Sequence, residues 1–260
     1  MEILIPVLLV AVIALVLGIA LSVLSTVFAV KTDEKEAKIR EALPGANCGA
    51  CGYSGCDGYA AAIAKGEAEP DKCAPGGESA ASALSEILGI EISVDKKVAF
   101  IGCNGKEENC PSRFDYSGLN SCAGAAMLFG GAGACPSRCI GFGDCAAVCS
   151  QNAISVIDGI AVINPCLCGG CGACAKVCPK HLISVGEGKK KANVTCSNRS
   201  KGAIAKKECA VSCIGCKICE KNCPENAINV ENNLAVVDDS LCTGCGICAE
   251  KCPRHCITIL

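Results

Sequence analysis

CIGCKICEKNCP, Cys213 to Pro224, decides the fold of this chain. Its cysteines follow the pattern C-x2-C-x2-C-x3-C-P, and with 18 residues enclosed between Cys223 and Cys242 the pattern returns as CTGCGICAEKCP, Cys242 to Pro253. Three thiolates at this spacing wrap one face of an iron–sulfur cubane, and the fourth reaches the neighbouring cluster. The spacing predicts two four-thiol sets: Cys213, Cys216 and Cys219 with Cys252, and Cys242, Cys245 and Cys248 with Cys223. Zinc prefers two C-x2-C pairs separated by a longer knuckle, a pattern these runs do not follow.

The run occurs twice more upstream. Cys168-x2-Cys171-x2-Cys174-x3-Cys178-Pro179 is regular, whereas Cys135-x3-Cys139-x5-Cys145-x3-Cys149 is irregular and has Ser150 in place of proline. Cys149 and Cys168 again enclose 18 residues, and all four runs end in similar tails, NAISV, HLISV, NAINV and HCITI. Four copies of one cysteine-run-plus-strand unit predict two ferredoxin-like modules in tandem. The expected sets of the first module are Cys135, Cys139 and Cys145 with Cys178, and Cys168, Cys171 and Cys174 with Cys149. The irregular spacing would alter the potential or exposure of its cluster.

Nearer the N-terminus, Cys48-x2-Cys51-x4-Cys56-x16-Cys73 forms a separate pattern, with YAAAIAKGEA reading as a short helix that returns the chain to Cys73. One further [4Fe–4S] cluster is the favoured reading, and four cysteines at this spacing suit zinc as well. Two pairs remain. Cys103 ends the strand-like VAFIGC and is followed at a distance by Cys122, while Cys196 ends NVTC and is followed by Cys209. Each pair precedes one module, so Cys103, Cys122, Cys196 and Cys209 are expected to share a sixth cluster between the modules. The alternative is four buried thiols acting as small hydrophobes, which leaves five clusters. Six sets use 24 of the 27 cysteines, with Cys110, Cys166 and Cys256 to spare.

Composition agrees with a fold stapled by metal. Of 260 residues only 3% are aromatic, with no Trp, so large side chains for a core are scarce. Disulfides are opposed by the odd cysteine count and the tight runs. A net charge of −2 leaves no global nucleic-acid footprint. From Ile3 to Val30 no residue is charged, and a helix of this stretch would be roughly 42 Å long, enough to span a bilayer with tilt. Only Glu2 precedes it, which does not fit a signal peptide, and a buried core helix is the alternative. Lys31, Lys35, Lys38 and Arg40 all follow it, which predicts that the cysteine-rich part is cytoplasmic. Reduced thiols there favour metal over disulfide.

Little else carries chemistry. GGAGAC at Gly130 lacks the spacing and flanking elements of a dinucleotide fingerprint, and no catalytic triad or acid–base pair is evident. His181 and His255 occupy equivalent repeat positions and read as structural echoes rather than ligands. Lys189, Lys190, Lys191, Arg199, Lys201, Lys206 and Lys207 crowd the inter-module stretch, either as a docking surface for an acidic donor or as a solvated loop. Thr32–Arg40 and Ser79–Leu88, the latter closed by Gly89, read as helices.

A single N-terminal span, then CGACGYSGC with a distant Cys, then GCNG, then stacked ferredoxin runs resembles the B subunit of the Rnf complex over essentially the whole chain. The CGACGYSGC domain alone is also similar to a domain on the corrinoid-protein side of acetyl-CoA synthase systems. The resemblance implies an ion-translocating ferredoxin:NAD oxidoreductase, a translocase that couples electron transfer to sodium or proton transport. This subunit would take electrons from reduced ferredoxin and relay them to the other subunits, without a flavin or nicotinamide site of its own. The implied fold is α+β, with a transmembrane helix at 1–30 in the plasma membrane, a single-cluster domain at 31–95, and ferredoxin-like modules at 96–190 and 191–260. The competing readings are a polyferredoxin subunit of a hydrogenase- or reductase-type membrane complex and a zinc-stapled interaction protein. The irregular run and Ser150 depart from the regular ferredoxin pattern.

Overall fold

The computed structural model describes residues 12–19, 21–22, 34–93, 96–188 and 190–259. Its repeating element is a cysteine followed by a reversal of the chain into a strand. Asn152, His181, Asn226 and His255, the first residues of the four tails, all have positive φ, between 49° and 52°. Each returns its backbone N–H to the carbonyl of the last cysteine of its run: Cys149 at 3.1 Å, Cys178 at 3.1 Å, Cys223 at 3.4 Å and Cys252 at 3.2 Å. Asn and His tolerate this left-handed conformation better than bulkier or β-branched residues. The two histidines therefore stand where the repeat needs a turn.

Beyond each turn the chain enters a short strand whose first isoleucine is buried. These strands are β2 (Ile154–Ile157), β4 (Ile183–Glu187), β6 (Ile228–Glu231) and β8 (Ile257–Ile259). β2 forms a hairpin with β3 (Ile160–Ile163), and β6 with β7 (Leu234–Val237). Asp158-Gly159 and Asn232-Asn233 turn these hairpins with positive φ at both residues, the geometry of a type I′ turn. β4 instead pairs antiparallel with β1 (Lys97–Ile101), and β8 with β5 (Ala192–Val194). Each module thus consists of two two-stranded antiparallel sheets, and its short helices carry the middle cysteines of the runs. They are Asp144–Ala147 and Ala173–Val177 in the first module, and Ile218–Asn222 and Ile247–Glu250 in the second.

The cores repeat as well. Ala99, Cys145, Ile154, Ala161, Cys174 and Ile183 cluster in the first module, and Ala192, Cys219, Ile228, Ala235, Cys248 and Ile257 in the second. Glycines allow the cysteine loops to lie against the strands. A Cβ on Gly170 would sit 2.5 Å from the Lys97 carbonyl oxygen, and one on the equivalent Gly244 would sit 2.2 Å from that of Lys190. Lys191 bridges the modules, its Nζ lying 3.0 Å from Glu187 Oε2 and 2.5 Å from the Asp239 carbonyl oxygen.

The N-terminal unit has three helices, α1 (Glu34–Ala42), α2 (Cys56–Ala64) and α3 (Gly77–Leu88), packed around Ile39, Leu43, Tyr59, Ile63 and Leu84. α3 ends at Gly89, which has φ 67° and caps the helix through the Ser85 carbonyl, the left-handed cap expected of glycine. The span predicted at 1–30 falls mostly outside the described residues. Residues 12–19 and 21–22 within it are helical with exposed side chains. No helix among the described residues is long and apolar enough to cross a membrane.

Candidate metal centres

In the N-terminal unit, α2 begins at Cys56, whose backbone N–H donates to Asn47 Oδ1 at 2.8 Å. That bond draws the glycine-rich Cys48–Cys51 loop over the helix start. Cys73 is returned by a turn that Tyr59 anchors, its hydroxyl donating to the Glu69 carbonyl (2.7 Å) and accepting from the Lys72 N–H (3.0 Å). Burial raises the Cys73 thiol above its ordinary range, and the nearby Cys56, Cys51 and Cys48 add to the shift. The four thiols converge.

Within the modules each set unites cysteines from both runs. Cys174 is raised by burial and by Cys171, Cys168 and Cys149. Cys248 is likewise raised by burial, with Cys242, Cys245 and Cys223 nearby. Cys219 is pushed up to about 11, chiefly by burial, beside Cys213 and Cys216. Cys252 joins this last group within the core, next to the spare Cys256, whose Sγ is 3.6 Å from it. Cys256 occupies the place held by Leu182 in the first module and packs in the same core as Cys213.

The first module departs from the expected grouping. One cavity is lined by Cys122, Cys139, Cys145 and Cys178. Burial pushes Cys145 up to about 11, reinforced by Cys139, Cys122 and Cys178. Cys135, expected in this set, instead lines a second cavity with Cys103, Cys196 and Cys209. The structure exchanges Cys122 and Cys135. The physical reason lies in the repeat. Cys139-Ile-Gly-Phe142 aligns with Cys213-Ile-Gly-Cys216, so a phenylalanine stands where the regular run has its second thiol.

The long insertion between Cys103 and Cys135 supplies the missing thiol. Helix Cys122–Ala126 is held over the cavity by Asp144, whose carboxylate accepts from the Cys122 N–H (2.9 Å), the Ala123 N–H (3.1 Å) and the Ser121 hydroxyl (3.1 Å). Desolvation alone would raise Asp144, but these bonds outweigh it and hold the carboxyl below its usual range. Asp144 also opens the helix that carries Cys145, so one side chain fixes Cys122 relative to Cys145.

The exchange makes the inter-module set symmetric. Cys135-x3-Cys139 has the spacing of Cys209-x3-Cys213, and Cys103 and Cys196 both follow a module's first strand. The Cys139 N–H donates to Cys103 Sγ at 3.3 Å, and the Cys213 N–H donates to Cys196 Sγ at 3.3 Å. Burial pushes Cys103 up to about 11 and Cys135 up to about 12. Gly105 approaches closely, since a Cβ there would lie 3.4 Å from Cys209 Sγ and 3.6 Å from Cys103 Sγ. Cys110 is a further buried thiol clustered with Cys135 and Cys209, and Cys166 is exposed.

Three features fit these residues to anionic iron–sulfur groups. Thiolates are the donor type such clusters use. Backbone N–H groups aim at the sulfurs of Cys149, Cys168, Cys223 and Cys242 from Ala153, Ala99, Ala227 and Ala192, at 3.3–3.5 Å, and such bonds favour the charged form. At the inter-module cavity the Thr195 hydroxyl is buried without a partner. Among the described residues no three His, Cys, Asp or Glu side chains are close enough to hold one bare metal ion; the thiols stand around cavities.

Comparison with known proteins agrees. Residues 43–75 match the family model described as "Putative Fe-S cluster". Residues 167–228 and 212–258 each match a 4Fe-4S dicluster domain. The first dicluster match straddles both modules, because it reads the two regular runs in sequence, whereas the fold pairs Cys168 with the irregular run before it. The chain is 42% identical over 238 residues to the B subunit of the Na(+)-translocating ferredoxin:NAD(+) oxidoreductase complex of Acetobacterium woodii, covering 91% of this chain and 72% of that protein. It is 38% identical to the B subunit of the proton-translocating ferredoxin:NAD(+) oxidoreductase complex of Clostridium ljungdahlii, over 88% of this chain and 82% of that one. The B subunit of the ion-translocating oxidoreductase complex of Methanosarcina acetivorans is 36% identical over 85% of this chain and 84% of its own. With iron–sulfur motifs throughout and this likeness along nearly its whole length, the chain belongs to the family of B subunits of the Rnf-type ion-translocating ferredoxin:NAD oxidoreductase complex.

Proposed function

We propose that this chain is the membrane-anchored electron-carrying subunit of such a complex, holding six [4Fe–4S] clusters and receiving electrons from reduced ferredoxin. The observation that carries this reading is the gathering of cysteines from distant parts of the chain, with Cys122, Cys139, Cys145 and Cys178 around one cavity and Cys103, Cys135, Cys196 and Cys209 around another. On this reading 24 cysteines form six groups of four. Consecutive groups touch through named residues. Gly169, beside Cys168, packs near Ala74 and Pro75, beside Cys73. Cys149 and Cys178 cross between the two groups of the first module, and Cys223 and Cys252 between those of the second. The Cys139 and Cys213 amides join both modules to the central group. A cluster on four thiolates takes up and gives up single electrons. The protein's part is to supply thiolates, to aim backbone N–H groups at them and to exclude water with Ile154, Ile183, Ile228 and Ile257. Chemistry at the nicotinamide then belongs to another subunit. The uncharged stretch 3–30 and the cations after it support an anchor with the cysteine-rich part on the cytoplasmic side.

The test is iron and acid-labile sulfide per chain on anoxically purified protein, together with a Cys196→Ser, Cys209→Ser variant. About 24 irons, falling to about 20 in the variant, is expected for cubanes of four irons. About 20 in both would reduce the count to five, and zinc without iron would sink the electron-transfer reading.

Donor docking is assigned to the basic helix Gly202–Glu208 and the Lys201 that precedes it, where Lys201, Lys206 and Lys207 are exposed beside the central group. Lys191 is engaged with Glu187 and Asp239, and Lys189 lies outside the described residues. Reversing Lys201, Lys206 and Lys207 to Glu should slow reduction by ferredoxin about tenfold at low salt, with the difference shrinking as salt screens the field. Stopped-flow rates that are unchanged at every ionic strength would refute this assignment.

A further inference from the structure

The central cavity is built from two repeat-related halves that are electrically unequal. Arg138 is 9% exposed and lines the cavity with Cys103, Cys135, Cys196 and Cys209. The equivalent position in the second module is Ser212, whose hydroxyl is taken up by the carbonyls of Ala205 (2.7 Å) and Cys209 (2.9 Å). Arg138 Nε donates to the Gly105 carbonyl at 2.9 Å, and among the described residues Arg138 forms no ion pair with a carboxylate. Glu107 approaches Gly159 as Arg138 does, without pairing with it. A cation withdrawn this far from water favours negative charge nearby, and Glu107 beside Gly159, Cys110 and the thiols lining the same cavity are the candidates. Thr195 lines the same cavity with a buried hydroxyl that has no partner, where the first module has Gly102. Arg138 and the Thr195 O–H therefore meet at one cysteine site. Their repeat equivalents, Ser212 and Gly102, bring neither a cation nor a free hydroxyl, while Arg254 on the second-module side is engaged with the Cys209 and Ser212 carbonyls.

We propose that Arg138 and Thr195 raise the reduction potential of the cluster held between the modules above the value its thiolates alone would give. The inference rests on the reading that Cys103, Cys135, Cys196 and Cys209 hold a cluster. Reduction adds one electron and one negative charge to the site, and a neighbouring cation and hydrogen-bond donor favour the more negative form. Both are tuning residues, since the thiolates alone bind the iron.

The experiment is an anoxic redox titration of the full-length protein followed by electron paramagnetic resonance. The component to follow is the one absent from the Cys196→Ser, Cys209→Ser variant. Arg138→Gln should keep the iron content while lowering the reduced-to-oxidised ratio of that component about tenfold at fixed potential, a fall of about 59 mV for a one-electron couple. Arg138→Lys, which keeps the charge, should titrate like wild type. A full iron content with an unshifted component in Arg138→Gln overturns the proposal, as does an equal shift in Arg138→Lys. If Arg138→Gln assembles with less iron, Thr195→Val decides: it must lower the same component, and an unshifted one overturns the proposal. Should wild type and the double-serine variant have equal iron and identical spectra, the central cluster itself is refuted and the tuning falls with it. That failure is distinct from a cluster that is present but indifferent to Arg138.

Discussion

Cys122→Ser and Cys135→Ser are each expected to remove about four irons per chain, yet from different clusters. The spectrum lost in Cys122→Ser should be the one lost in Cys145→Ser, and the spectrum lost in Cys135→Ser should match that of Cys196→Ser. A plain reading of the run Cys135–Cys149 gives the opposite result for the first pair, because it makes Cys135 the partner of Cys145. The geometry favours the exchange on two grounds. Cys122 faces Cys139, Cys145 and Cys178 across one cavity, with its helix tied to Asp144 by three hydrogen bonds. Cys135 has the spacing and surroundings of Cys209, its repeat equivalent. Matching spectra for Cys135→Ser and Cys145→Ser would restore the contiguous reading.

The exchange also marks how far the sequence can be read. The four tails and their strands are legible, because each depends on short-range spacing, and the proposed crossing of Cys149, Cys178, Cys223 and Cys252 between runs follows from the same spacing. The two helices of the N-terminal unit near Tyr59 and Leu84 are legible from apolar period and from Gly89. The source of the missing thiol is not. Phe142 removes a ligand from the run, and a loop of this length can return a cysteine from almost any position, since closure entropy changes slowly with loop length. A signal is nonetheless present. Cys135-Pro-Ser-Arg-Cys139 and Cys209-Ala-Val-Ser-Cys213 share their spacing, and aligning the modules on it assigns Cys135 to the central set and leaves Cys122 for the irregular one. The roles of Arg138 and Thr195 have no such signature, because each differs from its repeat equivalent and gains its meaning only from burial beside the cavity. Lys191 looks like a surface cation in sequence, and in the fold it bridges Glu187 and the Asp239 carbonyl.

Removing the clusters should unfold residues 97–259 while the helices of the N-terminal unit persist longer. The main core cluster of each module contains two buried isoleucines, joined by Leu234 in the second, with the remainder being alanine and the cysteines themselves. A buried isoleucine contributes about 1.5–3 kcal/mol, whereas ordering each residue's backbone costs about 1–2 kcal/mol. Strands of three to five residues in two-stranded sheets do not close that gap. The thiols compound it, because burial holds Cys103, Cys135, Cys145 and Cys219 at about 11 to 12, so without iron they return to protonated thiols that no longer bind the loops together. By contrast, Ile39, Leu43, Tyr59, Ile63 and Leu84 give the three N-terminal helices a core of larger apolar side chains, packed with Cys56 and Cys73. Anoxic chelation with an iron chelator and a mild oxidant, followed by limited proteolysis and mass spectrometry, should therefore show cleavage first at β-strand sites between Lys97 and Ile259. Reconstitution with iron, sulfide and thiol should restore the protection. A protease-resistant fragment covering both modules after complete iron loss would mean that the protein core, and not the clusters, holds the ferredoxin-like fold together.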